Sequence, residues 1–207
     1  MEGRERGPSS DWDRYAHYTP SNPVIRWLFL DLMYRGYQDL LRRAHFSGPI
    51  SVLELGAGTG YTTLRLCQAL PVEKVTLVDS NPAMLTTARG TLEGLACEKA
   101  FLQTDVLELP VEARFDLVHS AGLVEHFETP ERKRLLQLHA DLTRPGGYCI
   151  VYAPTPTRSY QFWRRLAEGM NVWLYTDEVP LPEDLLVREV GEAGLGVLGT
   201  NRFWRGF

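Results

Sequence analysis

A chain of 207 residues, 44% hydrophobic and 23% charged, has the composition of an ordinary globular protein and can bury one full core without staples. Its formal net charge of −4, from 22 basic and 26 acidic residues, lacks the positive field of a dedicated nucleic-acid binder. The cysteines Cys67, Cys97 and Cys149 form no CxxC or His/Cys cluster, so disulfide and zinc frameworks are not expected and a reducing, cytoplasmic setting fits.

Residues 1–10, rich in charge, Gly, Pro and Ser, read as a disordered segment without the apolar core of a signal peptide. From Val24 to Ala44 the apolar positions Ile25, Leu28, Phe29, Leu32, Met33, Tyr37, Leu40, Leu41 and Ala44 mark one buried helix face. No apolar stretch is long enough to span a bilayer. A regular alternation follows. Pro49–Leu55 predicts a strand, Thr59–Leu70 a helix, Lys74–Val78 a strand, and Pro82–Thr91 a helix capped by Asn81. Ala100–Gln103 and Phe115–His119 predict strands, Glu131–Leu142 a helix, and Pro145-Gly146-Gly147 a turn into a strand at Tyr148–Ala153. Beyond it, Arg158–Met170 and Glu183–Ala193 read as helices and Leu195–Trp204 as a last strand. Repeated β-α-β order with apolar strands implies an α/β fold, a Rossmann-like, doubly wound and mostly parallel sheet with helices on both faces.

The first strand runs into Glu54-Leu55-Gly56-Ala57-Gly58-Thr59-Gly60. Such a turn lets a ligand approach bare backbone and presents free N–H groups at a helix start. In the dinucleotide pattern G-x-G-x-x-G the third glycine falls on Tyr61, and no Gly-Lys-Ser/Thr follows for a nucleotide triphosphate loop. Asp79, ending the second strand, can accept both hydroxyls of a ribose, which fits either S-adenosylmethionine (SAM) or NAD. Asp105 can accept from an adenine amino group. As turn or capping residues, Asp79 and Asp105 need no ligand.

Five segments together resemble class I SAM-dependent methyltransferases: VLELGAGTGY (52–61), LVDSNPAML (77–85), QTDVLELP (103–110), FDLVHSAGLVEHF (115–127) and LTRPGGYCIVYAP (142–154). The resemblance implies that Glu54, Gly56, Ala57, Gly58 and Gly60 surround the methionine part of SAM. It places Asp79 on the ribose, Ser80 and Met84 beside the adenine, Asp105 and Val106 at the adenine edge, and Ser120 and Ala121 near the sulfonium. Tyr15 and Tyr18 resemble a lid over SAM, and read equally well as helix-packing aromatics. S-adenosyl-L-homocysteine would be the product.

Methyl transfer to oxygen or to a protonated nitrogen needs a base. His126 is the candidate, with Glu125 to orient it or to bind a cationic substrate; both read equally as residues that shape the loop. His119, inside a strand, reads as a core histidine. A metal-dependent branch of the family carries E-x-x-E-H here, but Gly122 stands at the first Glu position, so no metal is expected. The rings and thioether at Tyr160, Phe162, Trp163, Met170, Trp173 and Tyr175 suit the wall of a small apolar or aromatic acceptor pocket, or a dimer contact. The expected layout is a helical lid or cap over 11–48 and a SAM-binding domain over 49–207, with a substrate-side insertion at about 154–182. The family usually adds a sixth strand and an antiparallel seventh, and this sheet reads one strand short, with an open edge that a second copy can cover. A small-molecule methyltransferase is thus the first expectation. An RNA or protein methyltransferase, or a non-catalytic SAM-binding subunit, are the alternatives.

Overall fold

The computed structural model describes Trp12, residues 32–170, Trp173, Tyr175 and residues 177–201. Five strands, β1 (Ile50–Leu55), β2 (Val72–Asp79), β3 (Glu98–Gln103), β4 (Phe115–Ala121) and β5 (Thr143–Tyr152), form one parallel sheet in the order β3-β2-β1-β4-β5. The described helices are α1 (Leu32–Leu41), α2 (Tyr61–Ala69), α3 (Pro82–Thr91), α4 (Thr129–Leu142), α5 (Arg158–Gly169) and α6 (Glu183–Glu192). The strand order reverses between β1 and β4, and in doubly wound sheets that reversal opens a crevice at the strands' carboxyl ends.

Both faces of the sheet are covered, which is why its central strands read as unbroken apolar runs. On one face Val52, Val75, Leu77 and Leu117 pack against Tyr34, Tyr37 and Leu41 of α1, Leu66 of α2 and Ala88 of α3. On the other, Leu53, Leu55, Val78 and Val118 pack against Leu135, Leu136 and Leu142 of α4 and Ala193 after α6. Local chemistry starts the helices. Asn81 Oδ1 accepts from the N–H groups of Ala83 (2.8 Å) and Met84 (3.1 Å), with Pro82 in the first turn. Thr157 caps α5 by accepting from Tyr160 N–H.

Two expectations need correction. Strand β5 begins at Thr143, before the predicted turn: Phe115 pairs with Thr143 but Leu117 with Tyr148, so Arg144 to Gly147 bulge out of the ladder. Gly146 supplies the positive φ of +78° there, and Gly147 lies so close to the Asp116 carbonyl that a Cβ would sit 2.9 Å from its oxygen. The predicted last strand does not form over residues 195–201, and residues 202–204 lie outside the described part. With glycine at 194, 196 and 199 the stretch has little to pack on a pleat. It is tied to α1 and the residues just after it instead, with Arg43 donating to the Leu198 carbonyl (3.1 Å) and Asn201 to Asp39 (3.0 Å). Residues 24–31 of the predicted first helix also lie outside the described part. No described helix is long and apolar enough to cross a membrane.

Two buried polar groupings join helices to this frame. Arg132 of α4 makes a two-pronged contact with Glu189 of α6 (2.7 and 2.9 Å) and also donates to the Phe127 carbonyl (3.2 Å). Hydrogen bonds from Arg132 hold the Glu189 carboxyl below its ordinary range. Removing one partner of a shielded pair strands the other charge. Glu189→Ala is therefore expected to cost about 3 kcal/mol, read from urea unfolding. A loss below about 1 kcal/mol would mean that the pair is effectively solvated.

Under β1, Glu54 is 3% exposed and accepts from Thr63 Oγ1 of α2 at 2.6 Å. His119 Nδ1 stands 3.8 Å from its other oxygen, but this is no ion pair: burial lowers the imidazole to about 3 and raises the carboxyl from 4.5 to about 8, leaving both neutral near pH 7. The folded chain holds the Glu54 proton more tightly than the unfolded chain. Its stabilising contribution is thus complete below pH 4.5 and is lost, at about 1.4 kcal/mol per pH unit, as pH rises towards about 8. In Glu54→Gln the urea midpoint should fall less steeply between pH 6 and 9 than in the native chain. Equal slopes would show that Glu54 is already ionised in the folded state.

Candidate functional site

At the carboxyl end of β1 the chain turns through Gly56, Gly58 and Gly60, with φ of +65°, +51° and +70°. These are left-handed values that side chains resist. Packing adds a second demand at two of them. A Cβ on Gly56 would lie 2.6 Å from Leu123 Cδ1, and one on Gly60 would press on Ala88 and Leu77 at 3.2 Å. Around Gly58 there is open space. The turn is pinned by main-chain bonds from Ala57 N–H to the Val78 carbonyl (2.9 Å) and from Gly60 N–H to the Ala57 carbonyl (2.9 Å).

Asp79, at the end of β2, faces this turn. Its Oδ2 accepts from Gly58 N–H at 2.8 Å and its Oδ1 from Asn81 N–H at 2.9 Å. Burial pushes the carboxyl up, and the two N–H groups pull it part of the way back. An ionised carboxylate has about four lone-pair positions. One backbone donor on each oxygen leaves room on both for further donors.

Around this point the expected cofactor residues divide. Ala57 is buried, Ser80 is exposed, and Met84 is buried in the first turn of α3. Asp105 accepts from Leu107 N–H (3.0 Å) and starts the short turn Val106–Glu108, with Val106 buried beneath. Glu54 lies under the turn, its carboxyl held by Thr63. Ser120 is fully buried and its hydroxyl meets His139 Nε2 (3.0 Å) on the α4 side, while its carbonyl accepts from Tyr37 (3.0 Å). The hydroxyl and the carbonyl of Ser120 are thus both engaged inside the fold, and Ala121 follows it half-buried. His119 is a core residue as read, its ring edge-on to Tyr37 at 5.9 Å. Tyr15 and Tyr18 lie outside the described residues.

Beyond β4 the chain turns at Gly122 (φ +73°), whose N–H donates to the Tyr152 carbonyl (3.0 Å), and coils through Val124–His126. Glu125 is 2% exposed, and its Oε2 has no hydrogen-bond partner among the described residues. Burial, with added repulsion from Glu178 and Asp177, pushes this carboxyl up to about 8. His126 has Nδ1 3.1 Å from Asp177 Oδ2, and Trp12 meets its ring edge-on at 5.0 Å. Burial lowers the imidazole and Asp177 opposes the shift, so the ring is neutral at pH 7. Glu178 is shielded too; it accepts from the Tyr160 hydroxyl, with Arg164 Nη1 at 3.9 Å. Burial raises its carboxyl, against Tyr160 and Arg164.

The acids Asp177 and Glu178 are functional candidates that sequence reading passed over. They sit among the aromatic residues of the insertion, and two adjacent acids beside Val179-Pro180 were the available signal. The aromatic residues themselves separate. Trp173 lies against Tyr160 and Tyr175 (6.2 and 5.5 Å), with Tyr175 in turn 6.0 Å from Trp12. Phe162, Trp163 and Met170 instead face outward from α5, Phe162 61% and Met170 63% exposed.

The family described as "Methyltransferase domain" matches residues 52–147. The trans-aconitate 2-methyltransferase of Methylobacterium nodulans is 32% identical over 160 residues, covering 76% of this chain and 56% of that protein. The malonyl-[acyl-carrier protein] O-methyltransferase of Haemophilus ducreyi is 27% identical over 162 residues, covering 76% and 58%. The chain thus spans little more than half the length of these curated relatives. A solved complex of the Haloferax volcanii Trm112 methyltransferase activator with a methyltransferase matches in fold, with TM-score 0.67, 19% identity and coverage of 91% of this chain and 77% of that one. The ordered motifs, the strand order with its glycine turn, and these likenesses point one way: residues 52–147 match a methyltransferase domain.

Proposed function

We propose that the chain binds SAM across the carboxyl ends of β1 and β2 and transfers its methyl group to a small-molecule acceptor held between the Gly122–Phe127 loop and the segment at 154–182. The observation that carries this reading is the Asp79 carboxylate, which steadies Gly58 through one oxygen and keeps lone pairs on both for a ribose diol. The residues fit the cofactor. The turn offers bare main chain and open space at Gly58, and the Asp105–Val106 step lies at the end of β3 where an adenine edge would fall. The relatives named above carry names of small-molecule or carrier-bound acceptors, which supports that acceptor class.

Bound SAM would supply an electrophilic methyl on a sulfonium. The protein's part is alignment and exclusion of water, which can contribute up to ~7–11 kcal/mol in favourable cases. Gly56 and Leu123 are in mutual contact range, so the cofactor turn and the acid–histidine loop are built against each other. Neutral His126 can take a proton from the acceptor, and Asp177 beside its Nδ1 would stabilise the imidazolium that results. Glu125, one residue earlier and buried, would shape the same pocket, with Tyr160, Trp173 and Tyr175 as an aromatic wall.

Asp79→Ala is expected to weaken SAM binding more than tenfold by calorimetry. Unchanged affinity would remove Asp79 from the site and with it the reading's main support. His126→Ala should slow turnover about 100-fold or more, on the acceptor found by a labelled-SAM screen, while SAM affinity stays within twofold. Full activity in that variant would retire His126 as the proton acceptor.

A further inference from the structure

The loop after β4 and the segment after α5 bring more carboxyl groups together than the described residues around them provide with partners. Glu125, His126 and Glu178 each offer one donor atom, all within 4.8 Å of one another. Glu125 and Glu178 are shielded from solvent, and Oε2 of Glu125, a carboxyl of this cluster, is buried with no hydrogen-bond partner among the described residues. Asp177 adds a third carboxyl group beside His126, and among the described residues Arg164 is the one cationic side chain in contact with Glu178. A buried carboxylate oxygen left unpaired is costly, and an added cation relieves that cost.

We infer that Glu125, His126 and Glu178 form a binding site for one first-row divalent cation. Two carboxylates and an imidazole, without thiolate, suit ions of the Mn²⁺, Co²⁺ and Zn²⁺ kind. Metal–ligand bonds of about 2.0–2.2 Å place donors at most about 4.4 Å apart, so small side-chain rotations close the site. The two segments are already joined, since Val179 N–H donates to the Glu125 carbonyl at 3.1 Å. Tyr160 donates to Glu178 and Asp177 stands at His126 Nδ1, an outer ring of partners that fixes how two of the ligands point. Gly122 takes no part, and the third donor comes from the insertion, which is why the Glu-His pair alone does not reveal the site.

Resting on the methyl-transfer reading, the cation would sit where the acceptor enters and lower the pKa of an acceptor hydroxyl, whose proton would pass to water; His126 is the ligand in the metal-bound form and the proton acceptor described above in the metal-free form. The binding test needs neither cofactor nor acceptor. The full chain, stripped with chelator, is titrated with Co²⁺ by visible absorption and with Mn²⁺ by calorimetry. One equivalent of saturable binding is expected, weakened at least tenfold in Glu125→Gln and in Glu178→Gln, and unchanged in Asp79→Ala. Far-UV circular dichroism checks the folding of each variant, and His126→Ala takes the place of either one that does not fold. Absence of saturable binding to the native chain, or binding untouched by these ligand substitutions, overturns the site. Loss of SAM binding in a parallel titration, with Co²⁺ binding intact, would overturn the methyl-transfer reading and leave the cation site standing.

Discussion

The hydrogen bond from Gly58 N–H to Asp79 fixes the distance between the ends of two neighbouring strands. The ladder beneath it runs without a break from Ser51 opposite Lys74 to Leu55 opposite Val78, so the carboxylate and the glycine turn arrive side by side. A left-handed turn of three glycines has little rigidity of its own. Its shape comes from what it touches: Val78 through Ala57 N–H, Leu123 against Gly56, and Ala88 against Gly60. Strand β2, helix α3 and the loop after β4 all abut this one turn.

The central strands were legible because burial on both faces demands continuous apolar runs, and residues such as Val52, Leu53, Val75, Leu77, Leu117 and Val118 supply them. The start of β5 was not legible. Pro145-Gly146-Gly147 is turn chemistry, and the structure uses it for a bulge inside a strand, which local sequence cannot tell from a connection. The stretch from Leu195 misled through its mixture of Leu and Val with glycine; those apolar side chains are largely exposed, and its anchors are polar bonds to α1 and the residues just after it. In the candidate site, the glycines and Asp79 could be read because their spacing is local. Asp177 and Glu178 could not, because only the chain's return past β5 brings them to Glu125 and His126.

The buried ionisable groups fall into two kinds. Glu54, His119 and His139 are enclosed in the frame, where burial keeps them uncharged near neutral pH and they serve to orient Thr63 and Ser120. Glu125 and Glu178 lie where two chain segments come together and repel each other. The first kind settles how helices dock on the sheet. The second gathers carboxyl groups with shifted protonation where the loop after β4 meets the segment after α5.

The segment from Pro154 to Leu181 leaves the sheet and returns to the same spot, because Leu181 N–H donates to the Pro154 carbonyl at 2.8 Å. Its two ends are thus stitched together as by a drawstring, with α5 between them. Lengthening or shortening such a closed excursion changes its closure entropy only slowly, by about 0.6 kcal/mol per doubling. The sheet can therefore remain constant while a single contiguous stretch of chain, closed at its base, is lengthened, shortened or rebuilt.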